Sequence, residues 1–160
     1  MSTQEFVDAF LQRGRVDTLQ IDIIYHGGRC SEVKSEIHGL WFSSYKDTAL
    51  KYAKQGWVNI LKKNEVYGYL SSIIFEDVLN LIVVPESLAG PKAAEDFFNS
   101  DPGLFHSFLR HDLNTFLLEK NLNVQGFISE CYRDNLLELF VFKPCETFKN
   151  KNIHRDKICD

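Results

Sequence analysis

Four side chains in this chain have types and spacing that could do chemistry together: His26, Trp41, Tyr52 and Glu138. Trp41 lies in a short aromatic strand, Leu40-Trp41-Phe42, and Tyr52 follows in the next amphipathic segment, so both rings can converge on one side of a strand-to-helix corner. Two rings held that way form a slot for a flat ligand, each stacking contact contributing roughly 0.5–1.5 kcal/mol beyond area burial. Glu138 is a single carboxylate in an otherwise apolar run, Leu136–Phe142. An unpaired buried charge is costly, so such a residue is paired, metal-bound or part of a site, unless it lies at an open strand end and meets water. His26 ends a run of alternating residues and precedes Gly27-Gly28, where missing side chains permit a turn and let a ligand approach the backbone.

The elements that must hold these residues can be read in order. Ser2-Thr3-Gln4-Glu5 has capping-box spacing, and Phe6, Val7, Phe10 and Leu11 share one helical face, predicting a helix from Thr3 to Arg13 ended by Gly14. From Thr18 the period becomes two, with Leu19, Ile21, Ile23 and Tyr25 on one face and Gln20, Asp22, Ile24 and His26 on the other. Residues 29–38 read as a loop. The organising unit is Gly39–Ala53: a strand at Leu40-Trp41-Phe42, a helix start capped by Ser44 with Asp47 three residues on, and an apolar stripe at Ala49, Leu50 and Ala53. Strand patterns follow at Val58–Leu61, Val66–Phe75 and Leu79–Val84.

Gly90-Pro91 opens a helix through Phe98, and a longer helix is expected over Leu104–Glu119 with Phe105, Phe108, Leu109, Leu113, Phe116 and Leu117 inward. The stretch from Gly90 to Asn121 is thus a helical insert in a strand-rich chain. Val124–Cys131 and Leu136–Phe142 form a β-hairpin around Arg133-Asp134-Asn135. The polar residues after Pro144 read as a solvated tail, giving one domain over residues 1–148 and a tail over 149–160.

Composition narrows the function classes. A chain of 160 residues with 44% hydrophobic residues can bury one sizeable core. Net charge is −4 and no basic run is present, which argues against nucleic acid as the main partner. There is no signal-peptide pattern and no apolar run of membrane-spanning length, so the expectation is a cytoplasmic protein without a membrane partner. Cys30, Cys131, Cys145 and Cys159 form no CxxC or Cys/His pattern, so neither structural zinc nor a disulfide framework is called for.

Three pieces in fixed order carry a resemblance: Tyr25-His26-Gly27, Gly39-Leu40-Trp41-Phe42-Ser43-Ser44 with Tyr52, and Glu138-Leu139-Phe140-Val141-Phe142. This order resembles the ADP-ribosyltransferase superfamily, in the His–Tyr–Glu branch of diphtheria-toxin-like enzymes and poly(ADP-ribose) polymerases. Trp41 stands where that branch has its triad tyrosine, keeping a ring but not a hydroxyl. The branch with an Arg–Ser–Glu triad is matched less well; Arg29 and Ser43 are the pair it offers. The helical insert lies outside the resemblance.

The resemblance implies an α+β fold of two packed, mainly antiparallel sheets around an NAD cleft, with peripheral helices. It implies a mono-ADP-ribosyltransferase moving ADP-ribose from NAD to a macromolecular, protein acceptor, with no metal. Glu138 would stabilise the oxocarbenium-like state, and His26 would donate to a ribose hydroxyl. Tyr25, Gly27, Trp41, Phe42 and Tyr52 would hold the nicotinamide end, and Ser43 would support Glu138. By the same analogy the small size suits a bacterial or phage effector, toxin or defence protein, including one delivered into a host cytoplasm. An NAD glycohydrolase and a catalytically silent interaction module are the alternatives. A carboxylate cluster at Glu76, Asp77 and Glu86, a Cys131–His26 nucleophile and the insert histidines His106 and His111 have no second motif behind them.

Overall fold

The computed structural model describes residues 3–28, 33–60 and 67–159. Helix α1 (Thr3–Arg13) forms where expected and buries Phe6, Val7 and Phe10; Gly14 closes it by donating its N–H to the Phe10 carbonyl. Ser2 of the expected capping box lies outside the described residues. Strand β1 (Arg15–Gly28) pairs antiparallel with an 18-residue strand, β3 (Tyr67–Val84). The two patterns expected over Val66–Phe75 and Leu79–Val84 are therefore one strand, with Val66 outside the described residues.

The alternation expected along β1 breaks at a bulge. The register shifts between Ile21 and Ile23, and on β3 Glu76 takes a left-handed backbone at φ 49°. One residue on β1 opposes two on β3, so the face that is buried changes phase. Leu19 and Ile21 are buried as expected, but Ile23 turns outward and Ile24 and His26 turn in.

The Leu40–Phe42 strand forms as β2, and helix α2 runs over Lys46–Ile60. Residues 58–60, expected as strand, continue that helix; residue 61 lies outside the described residues. Ala49 and Ala53 are its buried stripe. The Ser44 hydroxyl does not cap the helix. It donates to the carbonyls of Asn135 and Leu136, at 2.9 and 3.0 Å, tying the start of α2 to the turn before the last core strand.

The helical insert is the crossover that joins β3 to its parallel neighbour β4 (Gly126–Ser129), a connection that parallel strands require. It contains α3 (Pro91–Phe97), α4 (Pro102–His111) and α5 (Leu113–Glu119), the single long helix of the expectation being split at Asp112. Asp101 caps α4 by accepting from the Gly103 and Leu104 N–H groups. Phe105, Phe108, Leu109, Leu113 and Leu117 are buried as their spacing requires, and Phe116 packs beside them.

The hairpin forms between β4 and β5 (Leu139–Val141), shorter than expected. Glu138 precedes β5 rather than lying inside it, and it is half-buried. Pro144–Thr147 is a short helix, α6, and Phe148 is fully buried. Residues Asn152–Cys159 are not a free tail but strand β6, antiparallel to the first half of β3. Its polar residues mark an edge strand facing solvent.

The six strands among the described residues belong to one connected, mixed and mostly antiparallel sheet, in the order β1-β3-β4-β5-β2 with β6 on β3. Among the described residues the two sheets of the expectation are joined into one, because the long β3 spans both halves. Apolar residues cover both faces. Phe6, Phe10, Phe105, Phe108, Phe127 and Phe140 lie with α1 and the crossover, while Ile21, Ile73, Leu81, Leu139, Val141 and Phe148 form the opposite core. Among the described residues no helix is long and apolar enough to cross a membrane.

Helix α2 sits directly on the backbone of the sheet. A Cβ on Gly27 would stand 1.6 Å from the Ala49 carbonyl oxygen, and one on Gly68 2.0 Å from that of Ala53. Gly68→Ala should therefore lower stability by about 1–3 kcal/mol, the cost of forcing atoms into a filled contact. Urea unfolding would show this as a lower midpoint; an unchanged midpoint would mean that α2 lifts without penalty.

Candidate functional site

The site is built where β1 and β2 meet and then part. Tyr25 and Ser43 form an antiparallel bridge, with Tyr25 N–H to Ser43 O at 2.7 Å and Ser43 N–H to Tyr25 O at 2.9 Å. Continued for two residues, that register would set Gly27 against Trp41. The Trp41 carbonyl is instead taken by His26, whose Nδ1 lies 2.7 Å away. The side chain replaces the next backbone rung, and the strands separate beyond it. Since N–H and C=O groups alternate in direction along a strand, the backbone of Gly27 faces the opened edge, as that of Tyr25 faces Ser43.

A carbonyl only accepts, so His26 Nδ1 carries the proton and donates, leaving Nε2 of the neutral ring as an acceptor. Burial, with the charge of Arg110 adding to it, pushes the His26 pKa below the ordinary value of 6.5 against the hydrogen bond to Trp41 and the charge of Glu36. In the neutral ring the nitrogen left for a ligand is Nε2, an acceptor to which a hydroxyl could donate. Gly27 and Gly28 lie in β1 and make no turn. The missing side chain at Gly27 is required by the helix, since the Ala49 carbonyl fills that space.

The opened edge leads into a cavity of about 960 Å³ that His26, Gly27, Trp41, Tyr52 and Glu138 all line. These residues, drawn from β1, β2, α2 and the approach to β5, are brought together as the sequence reading requires. Trp41 leans toward the crossover core, edge-on to Phe140 and Phe127 at 5.1 and 5.6 Å between ring centroids. The Tyr52 hydroxyl donates a hydrogen bond to Glu138 Oε1. Burial first, and then that hydrogen bond and the Glu138 charge, push the Tyr52 pKa up and keep it a donor. The turn leading to Glu138 is held by Ser44 and by Asn135, whose Oδ1 accepts the Leu137 N–H at 3.0 Å.

Tyr25, Phe42 and Ser43 do not line this cavity; with Trp41, Tyr52 and Glu138 they border a small hollow behind it. Phe42 is buried against Phe148, centroids 5.0 Å apart, and is a core residue. Ser43 Oγ accepts the Tyr45 N–H at 2.9 Å and so serves the start of α2. Arg29 lies outside the described residues.

The far wall comes from the crossover and was not anticipated. It brings Glu95, His106 and Arg110 into the lining, with Glu36 from the loop before β2. His106 stands edge-on to Trp41 at 6.5 Å, and burial followed by the charge of Arg110 lowers its pKa. The Gly39 N–H donates to the Arg110 carbonyl at 3.2 Å, and His38 and His111 approach to 3.1 Å between their Nδ1 atoms, so the end of α4 is docked on the entry to β2. The aromatic spacing of α4 shows only its core face; its opposite face has no partner in local sequence.

Other candidates stay apart. Cys131 contacts Ser129 at 3.1 Å and does not line the cavity. Asp77 pairs with Lys151 at 3.2 Å. Among the described residues no three His, Cys, Asp or Glu side chains are grouped so as to hold a metal, and Cys131 and Cys145 are free thiols. No family model, no curated protein and no solved structure matches this chain.

The buried, neutral His26 has a consequence for stability. Its folded pKa lies below the unfolded value of 6.5, so the unfolded chain binds the extra proton as pH falls. The stabilisation is complete above the unfolded value and declines as pH drops toward the folded one, at most by about 1.4 kcal/mol per pH unit. His26→Asn, which keeps a donor for the Trp41 carbonyl but does not titrate, should flatten the melting-temperature profile between pH 7.5 and 5. Parallel profiles for both proteins would show that His26 is protonated without cost.

Proposed function

We propose that the chain is an NAD-dependent mono-ADP-ribosyltransferase with a macromolecular acceptor, using an ADP-ribosyltransferase-like split at the β1–β2 edge as its nicotinamide site. The observation that carries the reading is the convergence of His26, Trp41, Tyr52 and Glu138 on one large cavity, from segments up to 112 residues apart in sequence by their numbering. The cavity is near the upper end of the roughly 300–1,000 Å³ range of small-molecule sites, enough for an extended ligand.

Each residue has a part that follows from its chemistry. The Gly27 backbone faces the opened edge and offers one donor and one acceptor, the pattern a carboxamide needs. Trp41 and Tyr52 supply aromatic surface for the ring. His26 Nε2 accepts from a ribose hydroxyl and fixes the sugar. As the bond from the ribose C1′ to the nicotinamide nitrogen breaks, its electron pair leaves with nicotinamide and positive charge grows on the sugar. Glu138, held by the Tyr52 hydroxyl, stabilises that charge through space and through the ribose hydroxyls. An acceptor nucleophile then bonds to C1′ and loses its proton. In this arrangement Tyr52 supplies the hydroxyl that Trp41 lacks.

If Glu138 acts mainly in the transition state, Glu138→Gln should lower transfer or hydrolysis at least ~10²-fold, with NAD affinity little changed. Labelled NAD offered with a cell lysate reads the rate: label on protein marks a transferase, free ADP-ribose a glycohydrolase. Unchanged turnover in this variant would remove Glu138 from the mechanism. A wild type that binds NAD and turns nothing over would favour a silent binding module.

Tyr52 separates two roles that the ring and the hydroxyl could play. Tyr52→Phe should keep NAD binding and lower turnover by about 10-fold, the scale of one hydrogen bond to a charged group. Tyr52→Ala should weaken binding as well. Equal effects of the two variants on binding and on rate would exclude the division of labour.

A further inference from the structure

The crossover wall of the cavity holds a charge that the nicotinamide end does not use. Three carboxylates line the cavity, Glu36, Glu95 and Glu138, and among the described lining residues Arg110 is the single lysine or arginine. Each carboxylate has a partner in the protein. Glu36 Oε1 accepts the His38 N–H at 3.1 Å, Lys92 lies 3.9 Å from Glu95, and Tyr52 donates to Glu138. The Arg110 guanidinium has neither an ion pair nor a side-chain hydrogen bond among the described residues, although its backbone carbonyl anchors Gly39. It lines the cavity from α4 together with His106, and His26 and Gly27 of β1 line the same cavity.

Among the charged side chains of that lining, the guanidinium is the one that attracts an anion, and it binds phosphate oxygens through its planar fork of donors. We propose that Arg110 is the anion-recognising residue of this cavity, taking the pyrophosphate of a dinucleotide, so that the helical crossover forms part of the substrate site and not only of the core. The identity of the ligand rests on the NAD reading above; the anion subsite does not. Arg110 binds and orients, and Glu138 acts on the sugar.

The test measures binding of NAD, nicotinamide riboside and inorganic pyrophosphate by calorimetry to the wild type, Arg110→Gln and Arg110→Lys. Both variants keep the backbone carbonyl that holds Gly39, and melting temperatures confirm that they are folded. Arg110→Gln should weaken NAD and pyrophosphate about 10- to 100-fold, the range of a charge-assisted hydrogen bond. Nicotinamide riboside, which has the ring and sugar but no phosphate, should bind this variant as it binds the wild type. Arg110→Lys should recover part of the loss. Pyrophosphate bound through Arg110 by a wild type that ignores NAD and nicotinamide riboside would uphold the anion subsite and defeat the NAD reading. Equal binding of NAD and pyrophosphate to wild type and Arg110→Gln, or no pyrophosphate binding to the wild type, would overturn the proposal.

Discussion

The close seat of α2 on the sheet is the constraint on which the site depends. With no side chain at Gly27 or Gly68, the Ala49 and Ala53 carbonyls come down onto two neighbouring strands. Any Cβ there would lift the helix. Tyr52 lies on the turn between those alanines, so its hydroxyl reaches Glu138 only while the helix is seated. Ser44, just before the same helix, holds the carbonyls that precede Glu138. One packing contact therefore sets both the donor and the carboxylate it serves.

A second choice opens the edge where a ligand can enter. At Trp41 a histidine side chain replaces a backbone rung, and the substitution costs little because the carbonyl is still satisfied. It requires a proton on Nδ1, and burial of the ring is what favours the neutral form. The separation of β1 from β2 follows from that hydrogen bond, and the acceptor character of Nε2 from the bond and the burial of the ring together. Ser71, the cross-strand neighbour of His26 on β3, is buried with its hydroxyl unpartnered, so the floor behind the imidazole is not fully satisfied by protein atoms among the described residues.

The crossover converts that edge into a cavity. Topology demands a long connection between the parallel strands β3 and β4, and this chain fills it with three helices whose aromatic faces build the core with α1. These helices bring His106 and Arg110 into the cavity lining, with His106 edge-on to Trp41. The same segment that stabilises the fold supplies the far wall of the site.

Much of this was legible in sequence. Helix α1, strand β2, the inward face of the crossover helices and the β4–β5 hairpin follow from hydrophobic period and glycine and proline positions, because each is set by local burial of one face. The types of His26, Trp41, Tyr52 and Glu138, and their order, were likewise open to reading. Tertiary structure decided the rest. A bulge at Glu76 changed which face of β1 is buried, and pairing with β3 turned the polar residues after Asn152 into an edge strand. Period alone cannot show either, since both depend on a partner distant in sequence. The roles within the site were decided in the same way. Gly27 is small because a helix carbonyl meets it, Tyr52 is the partner of Glu138 as well as a ring, and Arg110 faces the cavity from a helix whose visible pattern concerns only its core side. Residue type fixes what chemistry a side chain can do; only the packing of distant segments determines what it meets.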